Sequence, residues 1–461
     1  MNEFPSQNSW SKPPVPAPIV PQPVPAPSPQ RPSFSKATKV VFAVLGSFAA
    51  VFVVILAVYI GALATSPQVV APVRPPAPKK NGFDLLKAAT DKPFRKDDVA
   101  DAIATSPKKK WTPDQKRKLI AGNRVAILAT RQALAVPYLE ENRSNSLNDE
   151  FVYYAKFRHM ARVLVLAGNV AFEEGKQKEA ADYYLDALTI GRRVPNRTFL
   201  IGRLVGIACE AISRRAIWNH LERMDTDTAL HCLTRLQALQ AEHIPYHVTL
   251  EEEKYTVLNI AVEGMKDPNS IITGSGKDDE LTEDDRKARK AFGIYRNVVP
   301  RKYVTDTLGA HMDKIIAQSK EPYIKGNDEL PEPKELYSRL VVPPVQKARL
   351  RYVYSETGDA LLRTALALRI HKARTGKYPT NLSELVVAKL LPGIPDDPFD
   401  FPGAPLHYQV LPTGKYLLYS IGPDGTDDNG KGIEVKSPKG KPDRNVVLDS
   451  KGDMVAGWYG Y

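Results

Sequence analysis

Residues Val40–Ala64 read VVFAVLGSFAAVFVVILAVYIGALA, a run without one charged side chain. A bilayer core takes about 20 apolar residues, so the run is long enough to span with some tilt. A signal-peptide core is about 7–15 residues long and lies near the N-terminus. This run is longer and starts well inside the chain. A buried core helix would keep a polar face, and this segment has none. The reading is a single-pass membrane anchor. Lys36 and Lys39 stand directly before it, whereas Arg74, Lys79 and Lys80 follow only at a distance. The positive-inside rule then puts the N-terminus in the cytoplasm and the remaining chain outside.

Both flanks of the anchor are rich in proline. The stretch PPVPAPIVPQPVPAP (Pro13–Pro27) fixes φ and removes amide donors, so it predicts a solvated polyproline-II tail. A second Pro-rich stretch, Pro67 to Pro78, predicts a stiff stalk. The chain carries 64 Lys+Arg against 52 Asp+Glu, a net charge of +12. Most of that excess lies in residues 1–150, and residues 352–461 are neutral. A nucleic-acid-binding domain would carry a basic face on a folded module. The charge therefore points to membrane topology, and no nucleic-acid partner is expected. The hydrophobic fraction of 43% supports real cores and excludes global disorder.

From Gly82 to about Ala317 the apolar pattern is helical. Thr112-Pro113-Asp114-Gln115 predicts a capped helix start. Lys108-Lys109-Lys110, just before it, reads as a solvated basic loop. Cys209 and Cys232 are the only cysteines and lie on consecutive helices. They read either as one disulfide outside the cytoplasm or as two buried thiols. The one cluster with chemical potential is Glu242, His243, His247, Glu251, Glu252 and Glu253. His243 and His247 are four apart, but Pro245 between them breaks the helix that would align them. No His-Glu-x-x-His, Gly-x-Ser-x-Gly or phosphate-loop pattern occurs, so no enzyme is expected. Residues Asp267–Lys290 read as a charged insertion, and Glu321–Pro344 as an interdomain linker.

The stretch RVLVLAGNVAFEEGKQKEAADYYLDALTIGRR (Arg162–Arg193) holds two helical patterns around Gly175-Lys176-Gln177. Gly168, Ala171, Ala180, Tyr184 and Ala187 stand at the spacings of a tetratricopeptide unit, and this hairpin resembles one such repeat. The consensus does not continue, so an irregular α-helical domain over 82–320 is expected rather than a solenoid.

Residues 345–461 read as a small α+β module. A long helix ends at Gly376, and Asn381-Leu382-Ser383-Glu384 opens a short one. Leu406–Leu411 and Lys415–Ser420 then predict an antiparallel hairpin around Pro412-Thr413-Gly414. The order GKYPT (Gly376–Thr380), DPFD (Asp397–Asp400) and YSIGPDGTDDNG (Tyr419–Gly430) resembles the globular part of the major pseudopilins of bacterial type II secretion. The resemblance covers Ala365 to Asn429. It implies a bacterial envelope location and a calcium site, with Ser420, Asp424, Asp427 and Asp428 as carried-over ligands. Calcium takes six to eight oxygens from a flexible loop, which suits these residue types. In that family the membrane helix runs directly into the globular part. Here the anchor ends at Ala64, far upstream, so fibre assembly is not expected.

These readings give a tail (1–39), an anchor (40–64), a stalk (65–81), a helical domain (82–320), a linker (321–344) and the pseudopilin-like module (345–461). The expected function is a non-enzymatic envelope protein that binds other proteins. An accessory role in a secretion apparatus, or an enzyme using His243, His247 and Glu251, are the alternatives.

Overall fold

The computed structural model describes residues 36–91, 96–104, 107–140, 151–266, 283–324, 332–433, 435–436, 442–443, 446–447 and 450–457. The proline-rich tail up to residue 35 and most of the charged insertion, 267–282, lie outside the described residues. Helix α1 (Lys36–Ala64) carries the apolar run and is long and apolar enough to cross a membrane. Its large side chains from Val40 to Ile60 are exposed; Phe48 is 70% and Val58 68% exposed. The chain divides into two units after Ile60, and the rest of the description concerns the second, which begins at Gly61.

That unit is mostly helical. Helices α2 (Gly82–Thr90), α3 (Lys96–Ala102) and α4 (Pro113–Leu134) lead into α5 (Val152–Glu173), α6 (Gln177–Arg193) and α7 (Leu200–His220). Helix α4 starts as expected: Thr112 Oγ1 accepts from Gln115 N, and Gln115 Oε1 accepts from Thr112 N. Gly175 takes φ +79° in the expected α5–α6 turn, where no Cβ is tolerated without strain. Helices α5, α6 and α7 pack on one another in sequence. A Cβ on Gly168 would meet the Tyr184 ring, its Cδ1 at 2.7 Å, so glycine is what lets this tyrosine wedge between the helices.

Helices α8 (Thr226–Gln240) and α9 (Tyr246–Lys266) are followed by α10 (Glu283–Val298), α11 (Arg301–Ser319) and the short α12 (Leu336–Val341). Helix α10 takes up part of the segment expected to be an insertion. Helices α9, α11 and α12, with the start of α13 (Val345–Thr375), enclose a second core around Leu250, Leu308, Met312 and Tyr337. The described end of the expected linker, from residue 332 on, is thus built into the body: Tyr337 is fully buried, and Glu335 caps α12 by accepting from Tyr337 N and Ser338 N. The expected stalk also lies on the body. The Arg74 guanidinium makes two bonds to the buried Glu252 carboxylate, at 2.6 and 3.0 Å, and Arg301 donates to Ser66.

Helix α13 packs against α7 and α8, and its Leu361, Leu362, Leu366 and Leu368 belong to the main core with Phe157, Leu164 and Leu188. It therefore joins the C-terminal elements to the helical body. It ends at Gly376 with φ +82°, as expected. After α14 (Ser383–Val387), strands β1 (His407–Val410) and β2 (Tyr416–Ser420) form the expected hairpin, with His407 opposite Tyr419 and Val410 opposite Tyr416. Strand β5 (Met454–Val455) adds to the other edge of β2. A separate pair, β3 (Val435–Lys436) and β4 (Pro442–Asp443), lies between them in sequence.

Cys209 on α7 and Cys232 on α8 are separate, fully buried thiols, so the disulfide is not formed. Helix α8 packs chiefly on α6 and α13. Burial pushes each thiol up to about 12, and neither has the thiolate character of a reactive cysteine.

Candidate functional site

A dense polar group is built where α6, α7 and α13 meet. Glycine permits it: a Cβ on Gly191 would lie 2.7 Å from the Gly206 carbonyl, so α6 and α7 cross in close contact. Arg192, next along α6, then reaches three carboxylates. It stands 2.9 Å from Asp359, 3.2 Å from Glu356 and 3.5 Å from Glu210. Glu210 also accepts from Arg214, at 3.1 Å, and from Ser355, at 2.7 Å. Burial opposes the charge on Arg192, yet Glu210, Asp359 and Glu356 outweigh it and raise the guanidinium above its usual value. For Glu210 and Asp359, burial is likewise outweighed, by Arg192 first, and both carboxyls are held below their usual range. Each of these groups has a charged or polar partner.

His243 extends this network. Pro245 separates the helices as expected: α8 ends at Gln240 and α9 begins at Tyr246, so His243 occupies the turn while His247 and Glu251 lie in α9. The expected His243, His247 and Glu251 group is not brought together. His243 instead faces α13, with Nε2 2.7 Å from the Tyr352 hydroxyl and Nδ1 3.3 Å from Glu356. Burial holds its imidazole below the usual value, and Arg192 and Arg203 add to that effect. The neighbouring carboxylates have structural duties. Glu242 makes two bonds to Arg193, and Glu253 accepts from Leu200 N, capping α7 in place of a side chain from its own turn. A phenol, an imidazole and a carboxylate in a row can pass a proton along. Sequence reading missed Tyr352 and Glu356, although Arg349, Tyr352, Glu356, Asp359 and Arg363 follow helical spacing and mark a polar stripe on α13.

The C-terminal loop arranges its carboxylates differently from the expected calcium set. Ser420 is fully buried and donates to Asp397 at 2.6 Å. Asp397, the aspartate of DPFD, also accepts from Phe399 N and Ile421 N, and burial pushes its carboxyl up. Asp427 accepts from Tyr419 and Asn429 N and lies 3.4 Å from His407 Nδ1. Asp424 accepts from Gly452 N at 3.3 Å. The backbone amides of Asp428 and Gly430 both donate to buried Asp453. Among the described residues, the ligand atoms that do converge, all within 4.8 Å, are those of Asp397, Asp400 and His407. An imidazole with two carboxylates suits a transition metal better than calcium, which prefers oxygen alone. Within the expected set, Asp424, Asp427 and Asp428 fit calcium by donor type, whereas the Ser420 hydroxyl is already committed to Asp397.

No family model, curated protein or solved structure matches the chain.

Proposed function

We propose that the protein is a membrane-anchored, non-enzymatic envelope protein whose helical body docks other proteins. The observation that carries this reading is α1, a helix of 29 residues with its apolar surface exposed on every side. A hydrocarbon environment is the setting in which that surface costs least. The buried Arg192, Glu210 and Asp359 group supports the non-enzymatic part, since these charges pair with one another. On the outside, Val125 and Leu128 stand one turn apart on α4, 65% and 52% exposed. Contact with a partner is proposed to be centred there. The N-terminus is proposed to be cytoplasmic and the body periplasmic.

The test uses a photo-crosslinking residue at Val125 or Leu128 in the full chain in intact membranes. Discrete adducts are expected there and not from a polar control position such as Lys178. A smear identical at all three positions would sink the docking face, and release of the chain by alkaline carbonate would sink the anchor.

Calcium at Asp424, Asp427 and Asp428 belongs to the same reading, as a brace for the C-terminal loop. Calorimetric titration of the full chain with calcium should give heat that Asp427→Asn removes. No heat, and no rise in melting temperature, would dismiss the site.

A further inference from the structure

We infer that the groove between α5, α7 and the start of α13 binds a small anionic amphiphile, with a phosphate or carboxylate head on a short apolar tail. The groove has a volume of about 390 Å³, within the range of sites that hold small organic ligands. Its charged lining is arginine throughout: Arg158 and Arg162 of α5, Arg214 and Arg215 of α7 and Arg351 of α13, with Arg214 buried and already paired with Glu210. No acidic side chain lines it.

Several other arginines of the body are matched by carboxylates, and the buried Arg203 is satisfied by the Thr249 hydroxyl and the Ile244 carbonyl. Arg74, Arg131, Arg192, Arg193 and Arg235 each face a carboxylate within 4 Å. Arg158, Arg162 and Arg351 face none among the described residues. Arg158 and Arg162 are four residues apart, the spacing at which like charges on a helix repel. Burial first, and Arg158 second, hold the Arg162 guanidinium below its usual value. An anion seated between them would relieve that repulsion, and the planar fork of arginine suits the oxygens of phosphate and carboxylate. The floor has the opposite character. Ile207, Ala211 and their neighbours on α7 form an apolar strip, where a free inorganic ion would gain nothing and a hydrocarbon tail would lose its contact with water.

The experiment uses the full chain in nanodiscs of zwitterionic lipid, titrated with octyl phosphate, inorganic phosphate and octyltrimethylammonium. Saturable binding of octyl phosphate is expected, at least about tenfold tighter than inorganic phosphate, with none of the cation. The double variant Arg158→Gln/Arg162→Gln removes two charge-assisted contacts at solvent-accessible positions and should weaken octyl phosphate at least about tenfold. Its melting temperature without ligand should stay unchanged, which separates lost binding from lost fold. Repeating the titration in discs with anionic phospholipid distinguishes the sources: competition identifies a bilayer lipid, and undiminished saturable binding identifies a soluble molecule. Non-saturable uptake, equal affinity in the double variant, or equal binding of the cationic amphiphile would overturn the assignment.

Discussion

At Gly168, helix α5 gives up a side chain so that the Tyr184 ring can fill the space, with its hydroxyl donating to Asn169 at 2.9 Å. Gly168→Ala should cost about 1–3 kcal/mol through overpacking, measured by denaturant unfolding. A larger residue there should cost more, and an unchanged midpoint would mean that the hairpin opens freely. The same wedge holds His220, which stacks on Phe172 with ring centres 4.1 Å apart and lies parallel to Tyr184. Burial, helped by Arg223, lowers the His220 imidazole from 6.5 to about 4. The unfolded chain therefore binds this proton more readily than the folded one. Stability should be full above pH 6.5 and should fall as the pH drops toward about 4. The half-exposed ring limits the effect to the order of 1 kcal/mol. His220→Phe should flatten this part of the stability–pH curve; an identical slope would show that another group titrates there.

Between elements, the Arg192 network does the work of a three-way joint for α6, α7 and α13. Burying ions is costly, and removing one partner strands the rest. Arg192→Met leaves Glu210 and Asp359 as buried carboxylates and should cost about 3–5 kcal/mol. Adding Asp359→Leu should recover part of that loss, because one stranded charge goes with it. Strict additivity of the two substitutions in a double-mutant cycle would show that the pair is not coupled. Both carboxyls are held below their usual range, so their contribution is present above about pH 4 and disappears below it. Acid unfolding should accordingly proceed in two stages, the histidine stage first.

For the whole molecule, the decisive contact is that of α13 with α7 and α8. Residues 345–461 expressed alone would expose Leu361, Leu362, Leu366 and Leu368, all buried in the main core. They should aggregate or lack fixed tertiary structure, checked by near-ultraviolet circular dichroism. A sharp, cooperative melt of that fragment would show an independent domain after all. Removing residues 36–64 should move the chain from the membrane pellet to the supernatant; its retention would point to another membrane contact.

Much of this was legible in the chain because it is encoded locally. The charge-free run of α1, the Thr112 cap, the Gly175 turn, the Gly376 stop and the β1–β2 hairpin each depend on residues within a few positions of one another. The candidate sites were less legible, because their partners are distant in sequence. Nothing near Ser420 announces that its hydroxyl goes to Asp397, and nothing near His243 points to Tyr352. The cysteines show the same limit: they lie on consecutive helices, yet they are separate buried thiols, and α8 packs chiefly on α6 and α13. By itself, the sequence determined the apolar helix, the helical body and the terminal hairpin, since periodicity and turn chemistry are local properties. The tertiary structure alone decided which charges meet, which arginines stay unmatched, and that the described end of the linker and α13 belong to the body, because those outcomes follow from long-range packing.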